Sequence, residues 1–355
     1  MPTERHEAKR RIDAMEAPPA GATIDDKRTA ACGAGQAAPV HPPRHAVGGA
    51  RPRARLAFRM VRPPPLVAPE FPKRALGEIL ENRQVAPATW LMKVHAPTVA
   101  PAILPGQFVN LKCSDDIVPL LRRPMSVHRV IRHGEVATGF AVLYDVVGPG
   151  TRGLTGMPKG KRVDFVGPLG NSIFVPKGTN RAVLIAGGIG VGPIKIVAED
   201  LQRRGIKDIA VCYGARDSDH VVPNEDVAPH GCRLLLCTDD GSVGRRGFVT
   251  ALVEELVAVG RVTPTTYVFA CGPVPMFQAL QALLATRGLK CEAATEEFMG
   301  CGFGVCFGCT LRYREDDGRV GYRLCCADGC MFPLDRLVFE GHSHAAGRHA
   351  GTPTP

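Results

Sequence analysis

The spacing of apolar residues changes near residue 180, and this change divides the chain into two regions. Upstream, short segments of β-type residues are separated by turn dipeptides such as Pro105-Gly106, His133-Gly134 and Lys159-Gly160. Short strands punctuated in this way are typical of a small antiparallel barrel. The predicted strands cover 75–80, 89–95, 107–112, 125–131, 137–146 and 162–166.

Downstream of residue 180, apolar strands alternate with segments of helical spacing. Residues 182–186 form a fully apolar strand, and residues 194–204 have the spacing of a helix. Strands that alternate with helices predict a parallel sheet with helices on both faces. The other predicted strands cover 209–213, 233–237 and 267–270, and the other predicted helices cover 248–259 and 274–287.

Composition and charge argue against two classes of function. The formal net charge is +10, but residues 1–70 hold 12 Lys and Arg against 7 Asp and Glu, so half of the surplus lies in a segment rich in Ala, Pro and Gly. Such a segment is typical of a disordered extension, and we expect no nucleic-acid partner. The longest apolar run, 182–194, is interrupted by four glycines and a proline and is too short to span a bilayer. No signal peptide is readable, so we expect a cytoplasmic protein without a membrane partner.

Cysteines are crowded near the C-terminus. Six of the 13 cysteines fall between 301 and 330. Cys301, Cys306 and Cys309 have the spacing C-x4-C-x2-C, and Cys326 follows after sixteen residues. This is the plant-type spacing for a [2Fe–2S] cluster, whose two irons need four thiolates. Interleaved glycines allow the backbone to wrap closely, so that amide N–H groups point at the sulfurs.

A zinc site and a set of inert buried thiols are the alternatives for this segment. Zinc sites usually pair their cysteines in two short knuckles, and the long first gap between Cys301 and Cys306 fits that arrangement poorly.

Two motifs in the predicted barrel offer groups for a diphosphate. Arg122-Arg123-Pro124-Met125-Ser126 supplies positive charge and a hydroxyl, and Gly148-Pro149-Gly150-Thr151 supplies free amides in a turn. Each motif alone is also an ordinary surface feature.

A glycine loop in the α/β region offers a second nucleotide site. Gly187-Gly188-Ile189-Gly190-Val191-Gly192-Pro193 follows a buried strand and opens a helix, where a dinucleotide phosphate can dock. The spacing departs from G-x-G-x-x-G, and a turn that needs glycine for packing is the alternative. Cys271-Gly272-Pro273 ends the last strand, where a thiol can lie beside a nicotinamide or simply belong to the core.

These motifs together carry a family resemblance over residues 74–340. In order and spacing they resemble the ferredoxin reductase superfamily, and the C-terminal cysteines make the chain similar to the electron-transfer subunits of dihydroorotate dehydrogenase B. The motifs are Pro105-Gly106-Gln107-Phe108, Arg123-Pro124-Met125-Ser126, Gly148-Pro149-Gly150-Thr151, Gly167-Pro168-Leu169-Gly170-Asn171, the glycine loop, and Cys271-Gly272-Pro273 with Pro275-Met276.

The resemblance implies three cofactors, FAD, NAD(H) and a [2Fe–2S] cluster. FAD would contact Arg123, Pro124, Met125, Ser126, Leu143, Tyr144, Asp145, Gly150 and Thr151. NAD(H) would contact Gly188, Gly190, Gly192, Pro193, Gly272 and Pro273, with Cys271 as the catalytic residue. The cluster ligands would be Cys301, Cys306, Cys309 and Cys326.

The resemblance also implies a partner. Nothing in this chain suits orotate chemistry, so the electrons would pass to an FMN-containing catalytic subunit in a hetero-oligomer, a heterotetramer in this family. The order NAD(H), FAD, cluster is chemically workable because a flavin exchanges either a hydride or single electrons.

Some features depart from the family pattern or leave alternatives open. Asp145 stands where the family often has Arg, and Cys325 and Cys330 compete with Cys326 for the fourth ligand position. A flavin and iron-sulfur subunit of a ferredoxin:NADP oxidoreductase or sulfide dehydrogenase is the alternative function, although that group tends to have Asp in place of Cys301. A non-enzymatic redox sensor is a further alternative. The choice between NADH and NADPH stays open at Arg216 and Asp217.

The predicted organisation therefore has five parts. These are a disordered extension over 1–70, an FAD-binding barrel over 74–172, an NAD-binding α/β domain over 180–292, a cluster segment over 296–340 and a disordered tail over 341–355.

Overall fold

A closed barrel of six antiparallel strands forms the first part of the computed structural model, which describes residues 73–339. The strand order is β1-β2-β5-β4-β3-β6. Buried and exposed residues alternate along the last strand, and Phe140 meets Phe165 edge to face inside the barrel at 5.1 Å between ring centroids. The strands are β1 (Lys73–Ala86), β2 (Thr89–His95), β3 (Phe108–Leu111), β4 (Arg123–His133), β5 (Val136–Asp145) and β6 (Arg162–Leu169).

A short helix, α1 (Pro149–Thr155), joins β5 to β6 where the sequence predicted only a turn. Pro149 fits the first helical position, which needs no N–H donor. The Thr151 hydroxyl accepts hydrogen bonds from the N–H groups of Val147 and Gly148 at 3.0 and 3.3 Å and so caps the helix. The Gly148-Pro149-Gly150-Thr151 motif therefore forms the N-terminal end of a helix.

The second part is a seven-stranded sheet in the order β10-β9-β8-β7-β11-β12-β15, parallel except for the last pair. Its strands are β7 (Arg181–Gly187), β8 (Asp208–Ala215), β9 (Arg233–Thr238), β10 (Arg245–Arg246), β11 (Thr266–Cys271), β12 (Glu292–Ala294) and β15 (Met331–Pro333). Its helices are α2 (Ile194–Arg203), α3 (Asn224–Val227), α4 (Val249–Ala258) and α5 (Val274–Ala285).

The order in which strands are added to this sheet changes sides between β7 and β11, although these two strands are parallel. Strands β8 to β10 extend to one side of β7, and β11 and β12 lie on the other. Ligands of open α/β sheets bind at such a switch point, outside the carboxyl ends of the strands. The glycine loop follows β7 and Cys271 ends β11, so the two predicted nucleotide-binding segments lie at this switch point.

The cysteine segment forms a third part with strands that sequence reasoning missed. A hairpin of β13 (Thr310–Arg314) and β14 (Val320–Leu324) follows the first three cysteines, and β15 then pairs antiparallel with β12. The segment thus extends the sheet of the α/β part. All described residues, 73–339, belong to one compact unit.

The fold class predicted from the sequence is confirmed: a barrel, a largely parallel α/β sheet and a small C-terminal segment. Within residues 73–339, none of the helices has the length and apolar character needed to cross a bilayer. The predicted extension over 1–70 and tail over 341–355 lie outside the described residues.

Candidate functional site

The glycine loop packs tightly against the end of β11. A Cβ atom on Gly190 would lie 2.1 Å from the carbonyl oxygen of Cys271, and one on Gly187 would lie 3.0 Å from Pro273 Cδ. Any side chain at Gly190 would therefore push the two strand ends apart. Gly190 therefore allows close packing of the backbone, which is the alternative role that the sequence left open for this loop.

Gly188 has different surroundings. Its φ is +55°, in the left-handed region, and nothing lies within 4 Å of the position of its Cβ. The loop from Gly188 to Val191 is a 3-10 turn, and Pro193 immediately precedes α2. The backbone at Gly188 thus faces open space above the strand ends, where a nucleotide phosphate can approach.

Cys271 presents a half-buried thiol at the same place. Burial raises the pKa of this thiol well above its ordinary value, and the nearby carboxylate of Glu296 adds to the effect. The side chain is therefore a neutral thiol at physiological pH. It is suited to contact with a flat ring and not to nucleophilic attack.

The two diphosphate motifs of the barrel meet in the structure. The position of a Cβ on Gly150 would lie only 2.8 Å from Arg123 Nε, so the guanidinium lies against the start of α1. Arg123 donates hydrogen bonds to the carbonyl of Leu121 at 2.7 Å, and it forms no ion pair with a carboxylate of residues 73–339. A half-buried cation without a carboxylate partner fits the diphosphate of FAD.

The other residues predicted to contact FAD line β4 and β5. Ser126 lies at the glycine loop, because a Cβ on Gly192 would be 3.9 Å from Ser126 Cβ. Tyr144 lies in the barrel core and donates a hydrogen bond from its hydroxyl to Asn82 Oδ1 at 2.9 Å. Asp145 accepts one from Thr89 at 2.6 Å. Pro124 and Asp145 are half-buried, whereas Met125 and Leu143 are buried.

His128 is a residue of this site that sequence reasoning missed. It is fully buried in β4, and its Nδ1 donates a hydrogen bond to the carbonyl of Gly192 at 2.8 Å, while Nε2 has no partner. Burial lowers the pKa of His128 to about 4, so the ring is neutral at pH 7. The only available signal was a polar residue at an inward position of a strand.

Ion pairs also join the barrel to the α/β part around His128. Arg83 of β1 lies 3.2 Å from Asp226 of α3, and Arg129 of β4 lies 3.9 Å from Glu199 of α2. The barrel thus contacts helices α2 and α3 as well as the glycine loop, which His128 bonds at Gly192.

The four predicted ligand cysteines lie as two pairs. The backbone N–H of Cys301 donates to Cys306 Sγ at 3.4 Å, and that of Cys306 donates to Cys301 Sγ at 3.5 Å. The sulfurs of Cys309 and Cys326 are 3.2 Å apart. Within residues 73–339, no three metal-binding side chains surround one position suited to a single ion. Two pairs of thiols are the donor set of two irons, each with two thiolates.

Backbone N–H groups surround these sulfurs. Cys301 Sγ accepts hydrogen bonds from Phe303 and Val305 at 3.4 Å, and Cys326 Sγ accepts one from Gly304 at 3.1 Å. Gly302 and Gly304, at φ +85° and +88°, make this wrapping possible. Although partial burial opposes ionisation, these N–H groups lower the pKa of Cys301 to about 6. The loop around Cys301 therefore stabilises thiolate charge, as a ligand of a [2Fe–2S] cluster requires, whereas burial and the neighbouring Cys309 raise the pKa of Cys326 to about 12.

The competing cysteines lie elsewhere. Cys325 is fully buried, and its sulfur contacts the Thr295 hydroxyl at 3.4 Å. Cys330 donates from its sulfur to the carbonyl of Gly106 at 3.2 Å. Of the three candidates for the fourth position, Cys326 is the one whose sulfur meets that of Cys309.

An apolar rim surrounds the exposed side of these cysteines. Cys306 itself is exposed. Phe307 is 69% exposed and adopts φ 59°, the only non-glycine residue among 73–339 with positive φ. We use "the rim" for four exposed side chains: Phe298, Phe303, Val305 and Phe307.

Comparison with known proteins agrees with this arrangement. Residues 296–338 match the family described as the iron-sulfur cluster binding domain of dihydroorotate dehydrogenase B, and residues 184–282 match the oxidoreductase NAD-binding domain. The dihydroorotate dehydrogenase B (NAD(+)) electron transfer subunit of Desulforamulus reducens is 35% identical over 265 residues, which are 74% of this chain and 98% of that protein. The chain belongs to this family.

Other relatives extend the comparison. The electron transfer subunit of Fusobacterium nucleatum is also 35% identical, over 73% of this chain and 96% of its own length. Among solved structures, an NADH-dependent reduced ferredoxin-NADP oxidoreductase studied for flavin-based electron bifurcation has a TM-score of 0.63 at 26% identity, covering 74% of this chain and 90% of its own. FAD, NAD(H) and a [2Fe–2S] cluster are the cofactors that the electron transfer subunit family and the ferredoxin reductase fold support.

Proposed function

We propose that this chain is the electron-transfer subunit of a dihydroorotate dehydrogenase B, and that it passes electrons between NAD(H) and an FMN-containing catalytic subunit. The observation that carries the proposal is the placement of three sites on one compact unit. Strand β4 meets the glycine loop at Ser126, and the neighbouring strand β3 meets the cysteine segment at Asn110. The barrel thus lies between the nucleotide loop and the cluster site.

In this proposal each group of residues binds one of the cofactors. Arg123 and the start of α1 hold the FAD diphosphate, while Ser126 and the backbone of Leu143–Asp145 line the flavin. Gly188 admits the NAD(H) diphosphate, and Cys271 with Gly272 and Pro273 supports the nicotinamide. Cys301 with Cys306, and Cys309 with Cys326, bind the two irons. When bound, a flavin exchanges a hydride with nicotinamide and single electrons with a cluster.

The partner subunit binds at the rim in this proposal. Exposed aromatic and aliphatic side chains beside an exposed ligand, Cys306, provide an apolar surface next to the cluster. Phe307 keeps a strained φ of 59°, and strained residues of this kind concentrate at functional sites. We propose a heterotetramer with the catalytic subunit, located in the cytoplasm, where crowded cysteines stay reduced.

Co-purification tests the function. The chain is expressed with a dihydroorotate dehydrogenase catalytic subunit, and NADH-dependent interconversion of orotate and dihydroorotate is assayed with each chain alone and with both. Activity that requires both chains is the expected result, and light scattering of the complex gives its stoichiometry.

Two outcomes would contradict parts of the proposal. A chain that holds FAD and a cluster and oxidises NADH but ignores the catalytic subunit would transfer the function to the ferredoxin:NADP oxidoreductase class, which the similarity at 26% identity makes the second candidate. A complex of one copy of each chain would overturn the heterotetramer alone.

A further inference from the structure

The motif Gly167-Pro168-Leu169-Gly170-Asn171 has no cofactor role in the function above. Asn171 lies just after β6, at the point where the barrel meets the cysteine segment. Its side chain donates hydrogen bonds from Nδ2 to the carbonyls of Asp328 at 2.9 Å and Met331 at 3.1 Å. Its Oδ1 accepts one from the N–H of Met331 at 2.9 Å.

The backbone of Asn171 adds a fourth hydrogen bond, from its N–H to the carbonyl of Gly329 at 3.0 Å. The side-chain amide both donates to and accepts from the backbone of Met331, so it makes the same pair of hydrogen bonds as a residue of a neighbouring strand would. These bonds hold the stretch 328–331, which begins two residues after Cys326. Gly170 allows the close approach, since a Cβ there would lie 2.9 Å from the Gly329 carbonyl.

A second asparagine holds the other end of the cysteine segment. Asn110 of β3 is fully buried, and its Nδ2 donates to the carbonyl of Cys301 at 3.4 Å. A Cβ on Gly302 would lie 2.7 Å from this Nδ2, so the loop lies directly on the asparagine. The two asparagines therefore contact the segment beside its first and its last predicted ligand, Cys301 and Cys326.

We propose that Asn171 and Asn110 are positioning residues that fix the cluster at one distance and orientation from the flavin. This inference rests on the proposed function. One NADH supplies two electrons and releases a proton, and the cluster takes the electrons one at a time. The rate of each transfer depends on how closely the segment is held to the barrel, and these amides supply hydrogen bonds near both ends of that contact.

The chain offers a matched control in Gln281 of α5. Its Nε2 donates to the carbonyls of Leu334 at 2.5 Å and Leu337 at 2.8 Å. It holds the same C-terminal segment by the same chemistry, but to the α/β part and not to the barrel. A purely structural role of these amides would make Gln281 and Asn171 equivalent.

The experiment compares Asn171→Ala, Asn110→Ala and Gln281→Ala in the full chain. FAD and iron contents are measured first, and hydrogen exchange of peptides covering 326–333 reports how firmly the segment is held. Anaerobic stopped-flow mixing with NADH then follows flavin reduction and cluster reduction separately. In Asn171→Ala we expect normal cofactor contents, faster exchange, unchanged flavin reduction and cluster reduction slowed on the order of tenfold.

Other results would overturn the inference. Equal slowing of cluster reduction by Gln281→Ala would assign the effect to stability of the segment. Cluster reduction at the wild-type rate in both asparagine variants would refute positioning. If Asn171→Ala fails to fold, Asn171→Asp, which keeps the acceptor and loses the donor, together with Asn110→Ala decides the question. A wild-type chain in which NADH reduces no flavin would contradict the proposed function instead.

Discussion

His128 shows how a single side chain connects stability to the nucleotide site. Its neutral ring lies between the barrel and the glycine loop, and the charged groups Lys195, Asp226 and Arg129 lie around it. Desolvation dominates over these charges and disfavours the protonated ring. The residue thus stabilises the contact between barrel and loop only while it is neutral.

Stability should therefore fall as the pH is lowered through this residue's titration. Because the folded pKa is about 4 and the unfolded value is 6.5, the unfolded chain binds more protons between these values. The contribution is complete above pH 6.5 and is lost as the pH falls to about 4, at a cost of about 3 kcal/mol. Thermal unfolding followed by circular dichroism should show a flatter pH profile in His128→Asn. His133→Asn, exposed in the same strand, should keep the wild-type profile.

The adjacent thiols Cys325 and Cys326 should respond differently to replacement by serine. Cys326→Ser removes a sulfur that meets Cys309, so the visible absorbance and the iron content of the cluster should be lost. Cys325→Ser changes a thiol bonded to Thr295 and should retain the cluster. Flavin content should remain normal in both variants. A cluster that survives in Cys326→Ser would show that another cysteine is the ligand.

At the scale of elements, β7 and β11 are adjacent parallel strands, so the glycine loop and Cys271 at their carboxyl ends lie together. The regular strands and helices were predicted well because their apolar periodicity is strong. Helix α1 was missed because Gly-Pro-Gly is also a turn signal. The hairpin of β13 and β14 was missed although its apolar residues alternate with polar or small ones, because each strand is only five residues long and carries arginines.

Gly190→Ala tests the close packing at these strand ends. The added methyl would lie 2.1 Å from the Cys271 carbonyl, which is backbone and cannot move aside cheaply. We expect loss of unfolding free energy of about 2 kcal/mol and flavin reduction by NADH slowed on the order of tenfold, with FAD retained. Stopped-flow and thermal unfolding measure the two effects. Gly156→Ala, at φ −78° with its nearest neighbour at 3.8 Å, should leave both unchanged.

At the scale of the whole molecule, the barrel contacts both the α/β part and the cysteine segment, through different kinds of interaction. Ion pairs and His128 hold the α/β part to the barrel, and asparagine amides bond the cysteine segment to it. The rim then leaves the cluster side of the molecule apolar and exposed. The fold thus places the glycine loop at one part of the molecule and the exposed apolar rim at another.

Phe307→Gly separates backbone strain from docking. Glycine relieves a left-handed conformation that costs about 1–2 kcal/mol, so the variant should be as stable as the wild type or more so. Loss of the ring should weaken binding of the catalytic subunit about tenfold, as measured by surface plasmon resonance. Phe248→Ser removes an equally exposed ring, 69% exposed, at the start of α4 and should bind normally. Unchanged binding in Phe307→Gly would exclude Phe307 from the docking surface.

The sequence alone determined the element types, the order of the three parts and the cysteine spacing, because apolar period and ligand spacing are local properties of the chain. It also carried the family resemblance, which the relatives at 35% identity confirm. Tertiary structure decided which of Cys325, Cys326 and Cys330 meets Cys309, and that Gly190 packs while Gly188 stays open. It also decided the contacts of His128, Asn110 and Asn171. These depend on residues up to 191 positions apart in the chain, and their proximity is set by the register of strands and not by any local pattern.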